Sequence, residues 1–312
     1  IEVARKLSSA DYFGVSRLHE AVELREAGIT NEIVLMEGFF DKEELEYCIF
    51  YRLGIVIHQT WQLKLVINSI KKPHDIWVKI NTGMNRLGFH PKEVFLVSKE
   101  LIKAGIHSVK YITHFSHADD VASSVTKNQV QCFNNSLTKI DSTLFCSSVS
   151  LANSAALINH PVTNCGIIRV GISVYGINVG MGSLPLKPAM SFISKVIAIN
   201  ECKANSLVGY SGKWSPNRDT NLAVVAVGYG DGYPRHAKNG TPVVIKNKKY
   251  SIVGAISMDM ILVDICNDDI NIGDLVELWG GQNCITEVAT FSDTICYELM
   301  CGLTNRVKKV YL

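Results

Sequence analysis

The chain has 312 residues, enough for one large domain or two ordinary ones with full cores. Its 31 lysines and arginines nearly cancel 29 aspartates and glutamates, with no polybasic block, so nucleic acid and anionic membrane are excluded as partners. Apolar runs stop at strand length, far short of the roughly 20 residues of a membrane span, and Ile1–Arg5 has no apolar signal core, so the sequence reads as cytoplasmic.

The first residues, Ile1 to Leu7, read as the middle of a helix. Short apolar runs then alternate with helical patterns. Tyr12–Ser16 is the first predicted strand, followed by a helix from Leu18 that Gly28 stops. Glu32–Met36 precedes an acidic helix start at Asp41. Ile55–His58 and Ile76–Ile80 come next. A helix opened by Pro91 and closed by Gly105 follows. Val109–Phe115, Leu144–Val149 and Ile167–Ile172 complete seven βα-like repeats.

Strands alternating with helices imply parallel pairing. The expected fold class is therefore α/β, a (β/α)8 barrel of the TIM type, over residues 1–185. Such a barrel has eight strands. Seven of them, in a chain that opens inside a helix without an initiator Met, imply that the first strand lies upstream of residue 1.

The texture changes after Gly176. Gly180–Pro188 is linker-like, and short strands with turns take over. They are predicted at Phe192–Ile199, Asn221–Val227, Pro242–Ile245, Tyr250–Val253, Met260–Ile265 and Asp274–Trp279, with a turn at Lys246–Lys249. One helix is predicted near Thr294–Leu303. Residues 186–312 are thus read as a mostly β C-terminal domain.

The nine cysteines are scattered, without a C-x-x-C pair. They are read as reduced thiols that pack as small hydrophobes. No metal is expected, because ligand pairs at short spacing are missing.

In a parallel barrel the reactive groups gather at the C-terminal ends of the strands. Those ends carry Lys79 to Arg86, His114 to Asp119, Leu151 to Ser154, and Arg169 to Ile172. Arg169 follows two isoleucines and needs a partner if buried: an internal ion pair and a cation aimed at a ligand both meet that need. His114 reads either as a satisfied core histidine or as a functional imidazole. Lys79 lies between Val78 and Ile80; it either buries its stem with its head in water or loses its charge. Ser154 and the Gly171–Ile172 amides suit a phosphate, although ordinary helix capping explains Asn153-Ser154 equally well.

Six segments decide among these readings. "VKINTGMNRLG" (Val78–Gly88), "ITHFSHAD" (Ile112–Asp119), "LANSAA" (Leu151–Ala156), "IIRVGISVYGI" (Ile167–Ile177), "VGYGDGYPR" (Val227–Arg235) and "IVGAISMDM" (Ile252–Met260) resemble the alanine racemase family, in the same order and at compatible spacings. The resemblance implies a pyridoxal 5'-phosphate (PLP) enzyme, a barrel followed by a β domain, that racemises alanine with one base on each face of the substrate and supplies D-alanine for bacterial peptidoglycan. It implies that Tyr229 is one base, with His114 and Arg169 forming its hydrogen-bond network. Arg169 would also face the pyridine nitrogen of PLP. Arg86 would meet the substrate carboxylate and the PLP phenolic oxygen, and the backbone amide of Met258 would bind the same carboxylate. Ser154, Gly171 and Ile172 would cradle the phosphate, and Lys79 matches a lysine that is often carbamylated. It further implies a homodimer in which the β domain of one copy completes the barrel site of the other.

One motif has no counterpart. The lysine that anchors PLP, at the end of the first barrel strand in the family, matches nothing here; Lys6 belongs to the later helix and Lys79 to another strand. As given, the chain reads as lacking one base and the cofactor anchor. A non-catalytic remnant and a barrel-type PLP racemase of broader specificity are the competing readings. Asn305 stands where some members carry a tyrosine that touches the phosphate, and it receives no role.

Overall fold

The computed structural model describes residues 1–140, 149–180 and 182–312. It divides into two compact units. The first holds residues 1–173 and 178–185; the second holds residues 174–177 and 186–312.

The first unit opens with a short helix, α1 (Glu2–Lys6), and then alternates strands and helices. The strands are β1 (Tyr12–Val15), β2 (Glu32–Leu35), β3 (Gly54–Ile57), β4 (Asp75–Lys79), β5 (Val109–Ile112) and β6 (Val149–Ser150). They form one curled parallel sheet in chain order, β1 to β6. The helices between them are α2 (Leu18–Glu26), α3 (Lys42–Phe50), α4 (Thr60–Asn68), α5 (Val94–Lys103), α6 (Val125–Leu137) and, after β6, α7 (Ser154–Asn159).

Local chemistry explains the ends. Asp41 caps α3 by accepting from the Glu44 amide at 2.8 Å, and Asn153 caps α7 by accepting from the Ala156 amide at 2.9 Å. Gly105 stops α5 in the left-handed region, φ +80°.

All four residues of β3 are buried, because a parallel sheet is covered on both faces. Ile33, Ile55, Ile57, Ile76 and Val78 pack in the large cluster that also holds helix residues such as Leu63, Val66, Val97 and Leu101. Val34, Val56, Trp77 and Ile112 form a separate inner cluster. Burying each such side chain stabilises the fold by about 1.5–3 kcal/mol. The inner face also holds a charge pair at its N-terminal end. Lys110 Nζ lies 2.5 Å from Asp75 Oδ1, which is buried with it. The Trp77 indole N–H donates to Asp75 Oδ2 at 2.7 Å, and the ammonium stands 5.4 Å from the Trp77 ring centroid. The pair satisfies itself and leaves no charge for chemistry.

One sequence expectation needs correction here. Ile167–Ile172 is not a strand. Among the described residues it makes one isolated bridge, Asn153 to Arg169, and the preceding Gly166 makes another with Ser150. Gly166 sits at φ +62° and a Cβ there would lie 2.2 Å from the Val149 carbonyl oxygen, so the chain turns sharply where a strand would start. The predicted strand Leu144–Val149 is seen only from Val149; Leu144 to Ser148 lie outside the described residues.

The second unit is a closed antiparallel barrel in the order β10-β11-β8-β7-β12-β9. Its strands are β7 (Phe192–Cys202), β8 (Thr220–Val225), β9 (Pro242–Ile245), β10 (Lys248–Val253), β11 (Ile261–Cys266) and β12 (Leu275–Trp279). Lys246 and Asn247 both have positive φ and join β9 to β10, with Ile245 paired to Lys248. Two short helices follow, α8 (Ile285–Phe291) and α9 (Cys296–Cys301). The chain has this two-part architecture, barrel-type α/β followed by a β domain.

The eight described cysteines are free thiols, and Cys146 lies outside the described residues. Cys48 and Cys202 are buried as small hydrophobes, but Cys165, Cys284 and Cys301 are exposed, against the expectation of packing throughout. No described helix is long and apolar enough to cross a membrane.

Candidate active site

Lys79 is the last residue of β4, and the alternation of the strand puts it on the inner face with Asp75 and Trp77. Two residues beyond β5 comes His114, on the face of Lys110 and Ile112. A small recess lies at these strand ends; Lys79, Thr82, Arg86, Thr113 and His114 line it, and no described carboxylate does.

Arg169 enters the same place from the segment after α7. One guanidinium nitrogen donates to Ser150 Oγ at 2.6 Å. The other donates to the Thr113 carbonyl at 2.7 Å and to the Leu151 carbonyl at 3.3 Å, and stands 3.4 Å from His114 Nδ1. Ser150 Oγ spends its own proton on the Ile167 carbonyl at 2.6 Å, so toward Arg169 it acts only as an acceptor. Every partner is neutral. The arginine is held by dipoles, and among the described residues no carboxylate compensates its charge.

The cations act on one another. Burial, then Arg86 and Arg169, lower the Lys79 ammonium to about 8, with Glu37 opposing. Burial, then Arg169, Arg86 and Lys79, lower the His114 imidazole to about 4, so it is neutral at pH 7. Burial brings Arg169 down to about 10, still charged at pH 7. Among the described residues neither the Lys79 ammonium nor the Arg86 guanidinium has a hydrogen-bond or ion-pair partner.

Ser154 Oγ accepts from the Gly171 amide at 3.0 Å and from the Ser173 amide at 3.5 Å. The Ser154 and Ile172 side chains are buried, while Gly171 is open: a Cβ there would meet nothing within 4 Å. That opening admits a bulky group beside the glycine amide. The residues present fit an anionic cofactor: three cations, a neutral imidazole and a hydroxyl beside a bare glycine.

The second unit brings Tyr229 and Met258 together. The Tyr229 amide donates to the Ser257 carbonyl at 3.0 Å, and the Gly230 amide to the Met258 carbonyl at 2.8 Å. Gly228 makes this approach: a Cβ there would sit 2.3 Å from both carbonyl oxygens. The Tyr229 ring is 38 % exposed, with the Arg235 guanidinium 5.9 Å from its centroid. Arg306 was missed in sequence. It pairs with Asp259 at 2.5 Å and with Asp231 at 3.5 Å, and so ties both loops to the C-terminal segment. Its neighbour Thr304 donates to the Gly230 carbonyl at 2.9 Å. Thr82, Thr113 and Ser150 were also missed, because short polar side chains carry no signal without their partners.

Comparisons with known proteins identify the family. The alanine racemase N-terminal domain family matches residues 1–179, and the alanine racemase C-terminal domain family matches residues 189–311. Alanine racemase of Shewanella frigidimarina is 37 % identical over 313 residues, which is 98 % of this chain and 83 % of that protein. That of Shewanella sediminis is 40 % identical over 315 residues, with 98 % and 87 % covered. The biosynthetic alanine racemase of Pseudomonas aeruginosa superposes with a TM-score of 0.92 at 34 % identity, over 97 % of this chain and 86 % of that one. An alanine racemase from Bartonella henselae with covalently bound pyridoxal phosphate gives 0.84 at 28 % identity, over 96 % and 85 %. The chain belongs to the alanine racemase family, isomerases that act on an amino acid.

Proposed function

We propose that this protein interconverts L- and D-alanine with PLP, using one base on each face of the substrate, and supplies D-alanine for peptidoglycan in the bacterial cytoplasm. The observation that carries the reading is the uncompensated cationic recess at the strand ends, where Lys79, Arg86 and Arg169 surround a neutral His114. When bound, PLP supplies an electron sink that acidifies the substrate Cα–H.

The residues of this chain supply the other roles, except the cofactor anchor and the second base, which match nothing among residues 1–312. Arg86, exposed and unpaired, binds the substrate carboxylate, and the Met258 amide binds it from the second unit. Ser154, Gly171 and Ile172 hold the phosphate. Arg169 faces the pyridine nitrogen; a guanidinium does not surrender its proton, so that nitrogen stays unprotonated. Tyr229 moves the proton on one face, with His114 as its hydrogen-bond partner. Because Tyr229 and Met258 belong to the second unit and the cations to the first, the reading includes a homodimer whose copies complete each other's sites.

On this reading no lysine among residues 1–312 anchors the cofactor. Borohydride reduction of the PLP-loaded protein followed by peptide mapping should leave Lys6 and Lys79 unlabelled. A pyridoxyl group on either would overturn the assignment.

Lys79 is proposed to be carbamylated, which converts a buried cation between two arginines into an anion that pairs with Arg86. Exposure to 13C-bicarbonate should give a carbamate carbon resonance in the wild type and none in Lys79→Met. Thermal stability separates the alternatives by sign. A free ammonium whose folded pKa is about 8, against 10.5 unfolded, disfavours folding fully below pH 8 and not at all above about 10.5. Lys79→Met would then stabilise at pH 7 and lose that advantage by pH 10.5. With a carbamate it destabilises at pH 7 instead, and that is the expected result.

A further inference from the structure

Gln129 lies on α6, outside the sheet, yet its side chain reaches beneath the recess and is only 2 % exposed. All four of its hydrogen-bonding positions are used. Nε2 donates to Thr82 Oγ1 at 3.1 Å and to the His114 carbonyl at 3.1 Å. Oε1 accepts from the Ser116 amide at 3.0 Å and from Ser116 Oγ at 3.3 Å.

The proton order is fixed. Thr113 Oγ1 donates to the Ile80 carbonyl at 3.0 Å, which commits its one proton. The 2.8 Å contact between Thr82 and Thr113 hydroxyls therefore has Thr82 as donor. That commits the proton of Thr82, so its oxygen toward Gln129 is an acceptor. At the other end of the amide, the Ser116 N–H only donates. The amide has a single satisfied orientation, and the donors run in one line from Gln129 through Thr82 and Thr113 to Ile80.

This line joins two loops. Thr82 belongs to the segment from Asn81 to Gly88 that carries Arg86. His114 and Ser116 belong to the segment after β5. Thr113 also offers its carbonyl to Arg169. We propose that Gln129 is a positioning residue: its side-chain amide locks the Arg86 loop and the His114 loop into one arrangement, so that both groups face the same recess. The functional part rests on the site reading above; the locking itself does not.

The test uses Gln129→Glu, which keeps the shape but places a non-donating oxygen against Thr82 Oγ1 and the His114 carbonyl. Amide hydrogen exchange in the cofactor-free protein should accelerate about tenfold at residues 81–88 and 113–117, as expected for loss of buried hydrogen bonds, and stay unchanged at 54–57 in β3. Thr82→Val, of the same shape, removes the oxygen that receives from Gln129 and the proton given to Thr113, and should loosen 81–88 while leaving 114–117, still held by Gln129, protected. In the PLP-loaded enzyme the alanine KM should rise about tenfold with a smaller change in kcat. Unchanged exchange in both loops would sink the proposal, as would equal acceleration at 54–57, which marks a merely structural glutamine. If the loops loosen as stated but the alanine KM is unchanged, the locking stands and the site reading fails.

Discussion

Tyr229→Phe is expected to lower racemisation about a thousandfold in both directions while leaving the fold intact. The ring position is set by backbone contacts, Tyr229 amide to Ser257 carbonyl and Gly230 amide to Met258 carbonyl, and not by the phenol. Within one copy the hydroxyl has no hydrogen-bond partner among the described residues, so its removal leaves the fold of the second unit intact. The loss therefore reports proton transfer. A second readout locates it. With one face disabled, the remaining base still exchanges the Cα proton of one enantiomer with deuterated solvent, and that of the other stops exchanging. A variant that keeps a tenth of the wild-type rate, or that exchanges both enantiomers equally, would show that the phenol is not a base.

Arg169→Glu is expected to have the second largest effect. Racemisation should fall about a hundredfold, and transamination should rise relative to it. The guanidinium cannot give a proton to the pyridine nitrogen; a carboxyl group can share one, which strengthens the electron sink and opens side reactions. The substitution also replaces the nearest cation beside His114 with an anion. The His114 pKa, now about 4, should rise; burial, the larger cause, still holds it below the ordinary value. Histidine NMR across pH 3–7 checks this without turnover. An unchanged ratio of transamination to racemisation would refute the role at the pyridine nitrogen. Arg169→Lys is the control for folding, because it keeps the charge and donates to some of the three oxygens that Glu leaves without a donor.

Much of this was legible from residues alone. The strands of the second unit are short runs between clear turns, and Pro242–Ile245 lies where the pattern placed it. Lys79, His114 and Arg169 stood out because a charged or titratable side chain in an apolar run needs an explanation. Ile167–Ile172 misled for the same reason that strands are easy to find. Its β-branched pattern is strand-like, but the turn at Gly166 and the want of continuous partners decide otherwise. Helix α8 escaped notice because seven residues give only one repeat of the helical pattern, Ile285, Val288 and Ala289. Arg86 sits on a loop, where an exposed arginine is ordinary, and only the family resemblance singled it out. The glutamine beneath the recess was invisible, since it meets Thr82 across 47 positions of sequence. Long-range hydrogen bonding leaves no local trace.

The strand orders of the two units have a consequence for synthesis. In β1 to β6 each strand pairs with the one made just before it, so the sheet is able to grow stepwise as the chain leaves the ribosome. The closed barrel has no such schedule. Strand β7 pairs at once with β8, but its other neighbour is β12, more than seventy residues later, and β9 waits for β12 as well. The ring cannot close until Trp279 has been translated. Until then β7 and β9 are the open, aggregation-prone edges, while β8, which precedes the Tyr229 loop, is already covered by β7 and β11.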